Sequence, residues 1–274
     1  MLLSKRMKQK VLPLYRRPLL RAFFLCAVLI ASSCSLLKKD DRNIIVSNDD
    51  IPKMLNKDYR DHLASLSAAL IDNPKVDVVR IDGKIKQYLN DVFNRVVSNN
   101  ELLLKKDETY EPQFYIIKHS MPFIFSLPKN QFFISKGLIQ KYFKNESLLI
   151  SALVFEIIKS KREIYYKSKI IPTGVMDIQR MISLVRIGLE DKMKIYKWTY
   201  FALRRAEYDA AALLNWIQIQ NKNTLDFNWM IGDARVVTRE EYEFKSFLAG
   251  RGVSNAEIPT ENSTKEFYYL KDRI

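Results

Sequence analysis

Apolar residues recur at Ile81, Ile85, Leu89, Val92 and Val96, the spacing that lines one face of a helix, and the pattern predicts a helix over 81–97. A shorter apolar run, His62 to Ile71, predicts another before it. Phe114–Ile117 and Gln131–Ser135 are rich in aromatic and β-branched residues and predict strands, with a turn at Pro128-Lys129-Asn130 between them. The charged stretch Lys105–Pro112 predicts a loop. Asn145, with Glu146 behind it, predicts the N-terminus of a helix whose positions from Leu148 to Ile158 are apolar on nearly every side, so this helix is expected to be central and buried. Further helices are predicted over Ile178–Leu189 and Lys192–Ile219. Thr238-Arg239-Glu240-Glu241 has the form of a capping box opening a last helix that Gly250 stops. The expected fold is α+β: a mainly helical body with a small antiparallel sheet beside the central buried helix.

Composition changes this picture mainly at the front. With 47% hydrophobic residues in 274, the chain can bury a core, and wholesale disorder is excluded. The net charge of +14 suggests a polyanion partner until its distribution is considered. Residues 1–33 hold seven basic residues and no acid, which leaves 38 basic against 31 acidic residues in the remainder. That front end has a basic start, a short apolar core from Ala22 to Ala31, and small residues ahead of a cysteine at Ala31-Ser32-Ser33-Cys34. It resembles a bacterial lipoprotein signal, which implies removal of residues 1–33 and acylation of Cys34. An uncleaved anchor is the alternative, although the apolar stretch is shorter than the ~20 residues a spanning helix needs. The expected organisation is a signal at 1–33, a polar tether at 34–57, a folded domain at 58–250 and a polar tail at 251–274. Because Cys26 lies in the signal and Cys34 would be acylated, no thiol is left in the domain for disulfide, zinc or nucleophilic chemistry.

One residue breaks the apolar run of the central helix: Glu156, where an isolated carboxylate would cost several kcal/mol unless paired. The surroundings of Glu156 resemble the gluzincin metallopeptidases of the HtpX and BepA type, relatives of the CaaX prenyl proteases. The resemblance runs from about Val76 to Asn221 and is carried by Phe123–Asn130, by Phe132–Ile139 with Gly137-Leu138, by Asn145-Glu146, and by Leu153–Lys159. It implies that Glu156 stands at the general-base position of the His-Glu-x-x-His motif, with Phe155 and Lys159 where the two histidines would be. It also implies that Arg205 replaces the ligand carboxylate of the Glu-x-x-Ala-Asp motif ending at Asp209. A zinc site of this class needs two imidazoles a helical turn apart and a third carboxylate. His62 and His119 are the only histidines in the chain, so no metal and no other cofactor is expected. Glu156, Lys159, Arg205 and Asp209 are instead expected to form a buried ionic cluster in which fixed cations replace the metal, with Phe155 filling volume. Lys159 has a second reading as a solvated charge at the helix C-terminus beside Lys161 and Arg162.

The resemblance further implies that Gln131, Phe132, Phe133, Ile134 and Ser135 form an edge strand that holds extended polypeptide by strand addition. The expected function is that of a catalytically inactive metallopeptidase-like lipoprotein of the bacterial cell envelope, extracytoplasmic and lipid-anchored, which binds polypeptides or envelope assembly and quality-control partners. Two alternatives stay open: an active peptidase with an unorthodox site, and a surface lipoprotein binding lipid or host components through the basic stretch Lys159–Lys169. The export signal argues against a nucleic-acid partner.

Overall fold

In the computed structural model, which describes residues 56–104, 110–166, 173–251 and 263–274, several helices begin where short polar side chains hold their first free N–H groups. Asp82 accepts from Ile85 N at 3.0 Å and Asn145 accepts from Leu148 N at 3.1 Å. The stretch expected to be an export signal, Cys34 and nearly all of the expected tether lie outside the described residues. In chain order the elements are α1 (Asn56–Ile71), β1 (Val78–Val79), α2 (Gly83–Ser98), β2 (Gln113–Ile117), β3 (Ile124–Leu127), β4 (Gln131–Ser135), α3 (Lys136–Lys141), α4 (Glu146–Lys161), α5 (Ile178–Val185), α6 (Leu189–Arg205), α7 (Ala212–Lys222), α8 (Asn228–Ile231), α9 (Ala234–Ala249) and α10 (Lys265–Arg273). The fold is α+β, mainly helical around one four-stranded sheet. Among the described residues no helix is long and apolar enough to cross a membrane.

The sheet has the order β1-β2-β4-β3 and is mixed rather than antiparallel throughout, because β2 and β4 run parallel, with Phe114 beside Phe132 and Ile116 beside Ile134. The β3–β4 hairpin is antiparallel, and its tight turn places Lys129 and Asn130 at φ 64° and 57°, a conformation that asparagine tolerates better than most residues. Side chains alternate across the sheet. Ile124, Phe132 and Ile134 enter the main core around α4, whereas Phe125, Leu127 and Phe133 enter a second core with Tyr59, Leu63 and Leu70 of α1 and Met181 and Ile182 of α5. With helices on both faces, all five residues of β4 are buried. This two-sided burial explains why Ile124–Leu127 lacks the apolar–polar alternation that would announce a half-buried strand.

Three expectations about helices are corrected. The predicted helix Lys192–Ile219 is two, α6 and α7, separated at 206–211, where Glu207 takes φ 56° and Tyr208 N donates back to Leu203 O at 2.9 Å. That ending is made without glycine or proline, so the helical periodicity runs past it. The last predicted helix opens at Asp233, whose carboxylate accepts from Arg235 N at 2.9 Å, rather than at Thr238, whose hydroxyl donates to Asn221 Oδ1. Residues 251–274 are not simply a polar tail: α10 buries Phe267 and Leu270 in the main core. Its start is tied to the start of α4, where the Glu146 carboxylate accepts from Thr264 N at 2.7 Å, Thr264 Oγ1 at 2.9 Å and Tyr88 OH at 2.8 Å.

Gly137, at the start of α3, passes so close to the β2–β3 connection that a Cβ there would sit 2.1 Å from Ser120 O. Gly137→Ala is expected to lower stability by about 1–3 kcal/mol through this overpacking, read from chemical denaturation of the full chain; an unchanged midpoint would show that the connection can retreat freely.

Candidate functional site

Strand alternation sets the site. On β3, Ser126 shares the α4-facing side with Ile124, and α4 presents Glu156 to it. Glu156 Oε2 accepts from Ser126 N at 2.9 Å, from Ser126 Oγ at 2.7 Å and from Lys159 Nζ at 3.2 Å. The two charged side chains are each 5% exposed, so this is an interior ion pair one helical turn long. Ser126 Oγ also lies 3.1 Å from Tyr165 OH, and Lys159 Nζ stands 5.6 Å from the centre of the Tyr165 ring. Burial pulls the Lys159 ammonium below the ordinary lysine range, with Glu156 partly opposing it; burial likewise pushes the Tyr165 hydroxyl up.

A second buried pair lies across the same cavity. Lys192 of α6 reaches Glu240 of α9 at 2.8 Å, and Tyr196 OH donates to the other oxygen of Glu240 at 3.1 Å. The Glu240 side chain is completely buried. Burial, and then the Glu240 charge, push the Tyr196 hydroxyl well up, which keeps it a donor. Phe155 links the two pairs: its ring lies 4.8 Å from that of Tyr196, centre to centre, and it lines the cavity beside Glu156.

The expected cluster is therefore half present. Glu156 and Lys159 are brought together, and Lys159 is not a solvated helix-end charge. Arg205 is exposed on the last turn of α6, and among the described residues no ion pair joins it to Glu156. The face of α6 explains this: Arg205 follows the buried Leu203 by two residues and so stands on nearly the opposite side of the helix. Asp209 lies in the connection after α6, where its Oδ1 accepts from Ala211 N at 2.8 Å. The cation on the buried side of α6 is Lys192, one turn before Tyr196, and it pairs with Glu240 rather than with Glu156.

The proposed edge strand is also corrected. Gln131–Ser135 lies between β2 and β3 with both sides paired, so it cannot accept another strand. Its end residues are engaged as well: Gln131 Nε2 donates to Ala64 O and Pro128 O, and Ser135 Oγ accepts from Phe123 N and Leu138 N. The edge beside the site is β3, and Glu156 already holds the outward N–H of Ser126. Of the two histidines, His62 lies on α1, and His119 accepts from Met121 N through Nδ1 while its ring packs against Phe123 and Trp229.

Zinc does not fit this donor set. Phe155 offers no lone pair, Lys159 brings an ammonium to the carboxylate, and Arg205 is directed elsewhere. Among the described residues no three His, Cys, Asp or Glu side chains converge. No protein-family model and no curated protein matches the chain.

Sequence reasoning missed Ser126, Tyr165, Lys192, Tyr196 and Glu240. Glu240 had a legible signal, since it shares a stripe with Val237, Phe244 and Leu248, all buried. Nothing in the spacing of Ser126 marked it, because its strand was not apparent.

Removing one member of the first pair leaves the other charge buried. Glu156→Gln and Lys159→Met are each expected to cost about 3–5 kcal/mol, and the double variant clearly less than the two together, in urea denaturation. Strict additivity would show that the charges do not depend on each other.

Proposed function

We propose that this protein is a catalytically inactive, metallopeptidase-like lipoprotein of the bacterial cell envelope, which binds polypeptides or envelope assembly partners. The observation carrying the reading is the 3.2 Å contact between Lys159 Nζ and Glu156 Oε2. In the resemblance, Lys159 stands where a metal-binding imidazole would be and Glu156 where the proton acceptor for metal-bound water would be. An ammonium on that carboxylate supplies the positive charge a metal would have supplied, and two further bonds from Ser126 occupy the same oxygen. A carboxylate so engaged has no free lone pair on that oxygen for a water proton. The signal-like front end, with Cys34 behind small residues, supports a lipid anchor and an envelope setting.

The purified full chain is expected to hold no stoichiometric zinc after incubation with the metal and to bind fluorescent unfolded casein without cleaving it. Casein hydrolysis abolished by Glu156→Gln would sink the reading. In cells, Cys34→Ser should eliminate incorporation of a radiolabelled fatty acid.

A second reading, a lipid-binding surface lipoprotein, is favoured by the exposed side of α6. Lys194, Lys197, Arg204 and Arg205 are exposed there beside the half-buried Trp198 and Phe201, and Arg162 and Arg251 lie over those two rings at 5.0 and 4.6 Å. Of the basic stretch Lys159–Lys169, Lys159 is buried, and Lys167 and Lys169 lie outside the described residues. If this face meets lipid, Trp198 fluorescence should shift to the blue on phosphatidylglycerol vesicles but not on phosphatidylcholine, and Arg204→Glu with Arg205→Glu should remove the shift.

A further inference from the structure

The cavity bounded by α4, β3, α5, α6, α7 and α8 has an uneven charge count. Three cationic side chains line it, Lys159, Arg186 and Lys192. Each lysine already has a carboxylate, Glu156 for one and Glu240 for the other. Arg186, in the α5–α6 connection, has no carboxylate partner among the described residues. One terminal nitrogen donates to Trp229 O at 2.6 Å, while Nε is buried without a hydrogen-bond partner. The guanidinium is also held in place: it lies against Gly232, at φ 77°, where a Cβ would be 2.7 Å from Nη1. Three lining cations are thus matched by two carboxylates, Glu156 in the wall and Glu240 behind Lys192, which leaves one surplus positive charge next to apolar walls from Ile182, Val185 and Met230.

From this we propose that the cavity is a binding site for a monocarboxylate group bearing a short apolar substituent, with Arg186 as the residue that receives the carboxylate. Size and charge decide the class together. The cavity volume is about 50 Å³, room for roughly three or four water-sized groups. That admits a carboxylate and a small alkyl group and excludes a nucleotide or a sugar. A phosphate dianion would leave the site with a net negative charge, whereas a carboxylate balances it. A guanidinium fork matches a carboxylate in shape, and burial strengthens the contact. Such a group can be a free short-chain acid or the C-terminus of a polypeptide ending in a small apolar residue; only the second source rests on the polypeptide-binding reading above.

The test is isothermal titration of the full chain in detergent micelles with three probes: propionate, N-acetylated alanyl-alanyl-valine with a free C-terminus, and the amide of that peptide. Binding of the free-acid peptide, at least roughly tenfold tighter than its amide, is expected and assigns the polypeptide source. Binding of propionate alone supports the carboxylate site with a free acid as its ligand and removes the polypeptide source. Equal binding of acid and amide, or binding of neither propionate nor the acid, overturns the proposal. Arg186→Gln should abolish the preference for acid and Arg186→Lys should keep part of it. The acid–amide comparison in the unaltered chain decides even if those variants fold poorly. Zinc-dependent hydrolysis would sink the proposed function without altering this result, so the two can fail separately.

Discussion

A single carboxylate placed in the middle of an apolar helix sets the terms for everything packed around it. Ionised and alone, Glu156 would cost several kcal/mol, so its neighbours must supply donors and positive charge where apolar side chains would pack more simply. Ser126 supplies two donors from the edge of the sheet, and Lys159 supplies the charge from the next turn of the same helix. Each solution creates another requirement. Burying Lys159 depresses its basicity, and the Tyr165 ring then stands beside it. On the far side of the cavity, Glu240 and Lys192 repeat the arrangement with Tyr196 as the additional donor. Interior ion pairs of this kind add little net stability over apolar packing, but they strongly penalise arrangements in which one partner is missing; here the Glu156 bonds fix α4 against β3, and Lys192–Glu240 fixes α6 against α9.

The legible parts of the fold were those with local signals. Asn145 announced α4, the apolar stripe announced α2, and the aromatic runs announced β2 and β4. What escaped was set by distant packing. Ile124–Leu127 is buried on both faces and carries no alternation, and Val78–Val79 is too short to have a pattern. The end of α6 is made by Glu207 in a left-handed conformation, for which sequence offers no punctuation. The tail after Gly250 looks polar because α10 needs only Phe267 and Leu270 on its inner side.

The site was half legible for the same reason. A lone glutamate in an apolar helix demands a partner, and the nearest candidate, one turn away, is the one found. Arg205 depended on which face of α6 is turned inward, and the buried face carries Tyr196, Thr199 and Leu203 instead. Gln131–Ser135 depended on the order of strands, which sequence cannot rank: a strand of aromatic residues suits a sheet edge and a sheet centre equally well, and pairing with β2 and β3 puts it at the centre.

The link between Glu146 and Thr264 has a bearing on how the chain acquires its shape. The helix at the middle of the molecule begins with a buried acid that takes two of its bonds from Thr264, 118 residues further on. The first turn of that helix is therefore complete only when the segment around Thr264 is in place. Closing this part of the interior thus depends on a contact of long sequence separation, which makes the segment 263–274 a clasp on the central helix rather than an appendage.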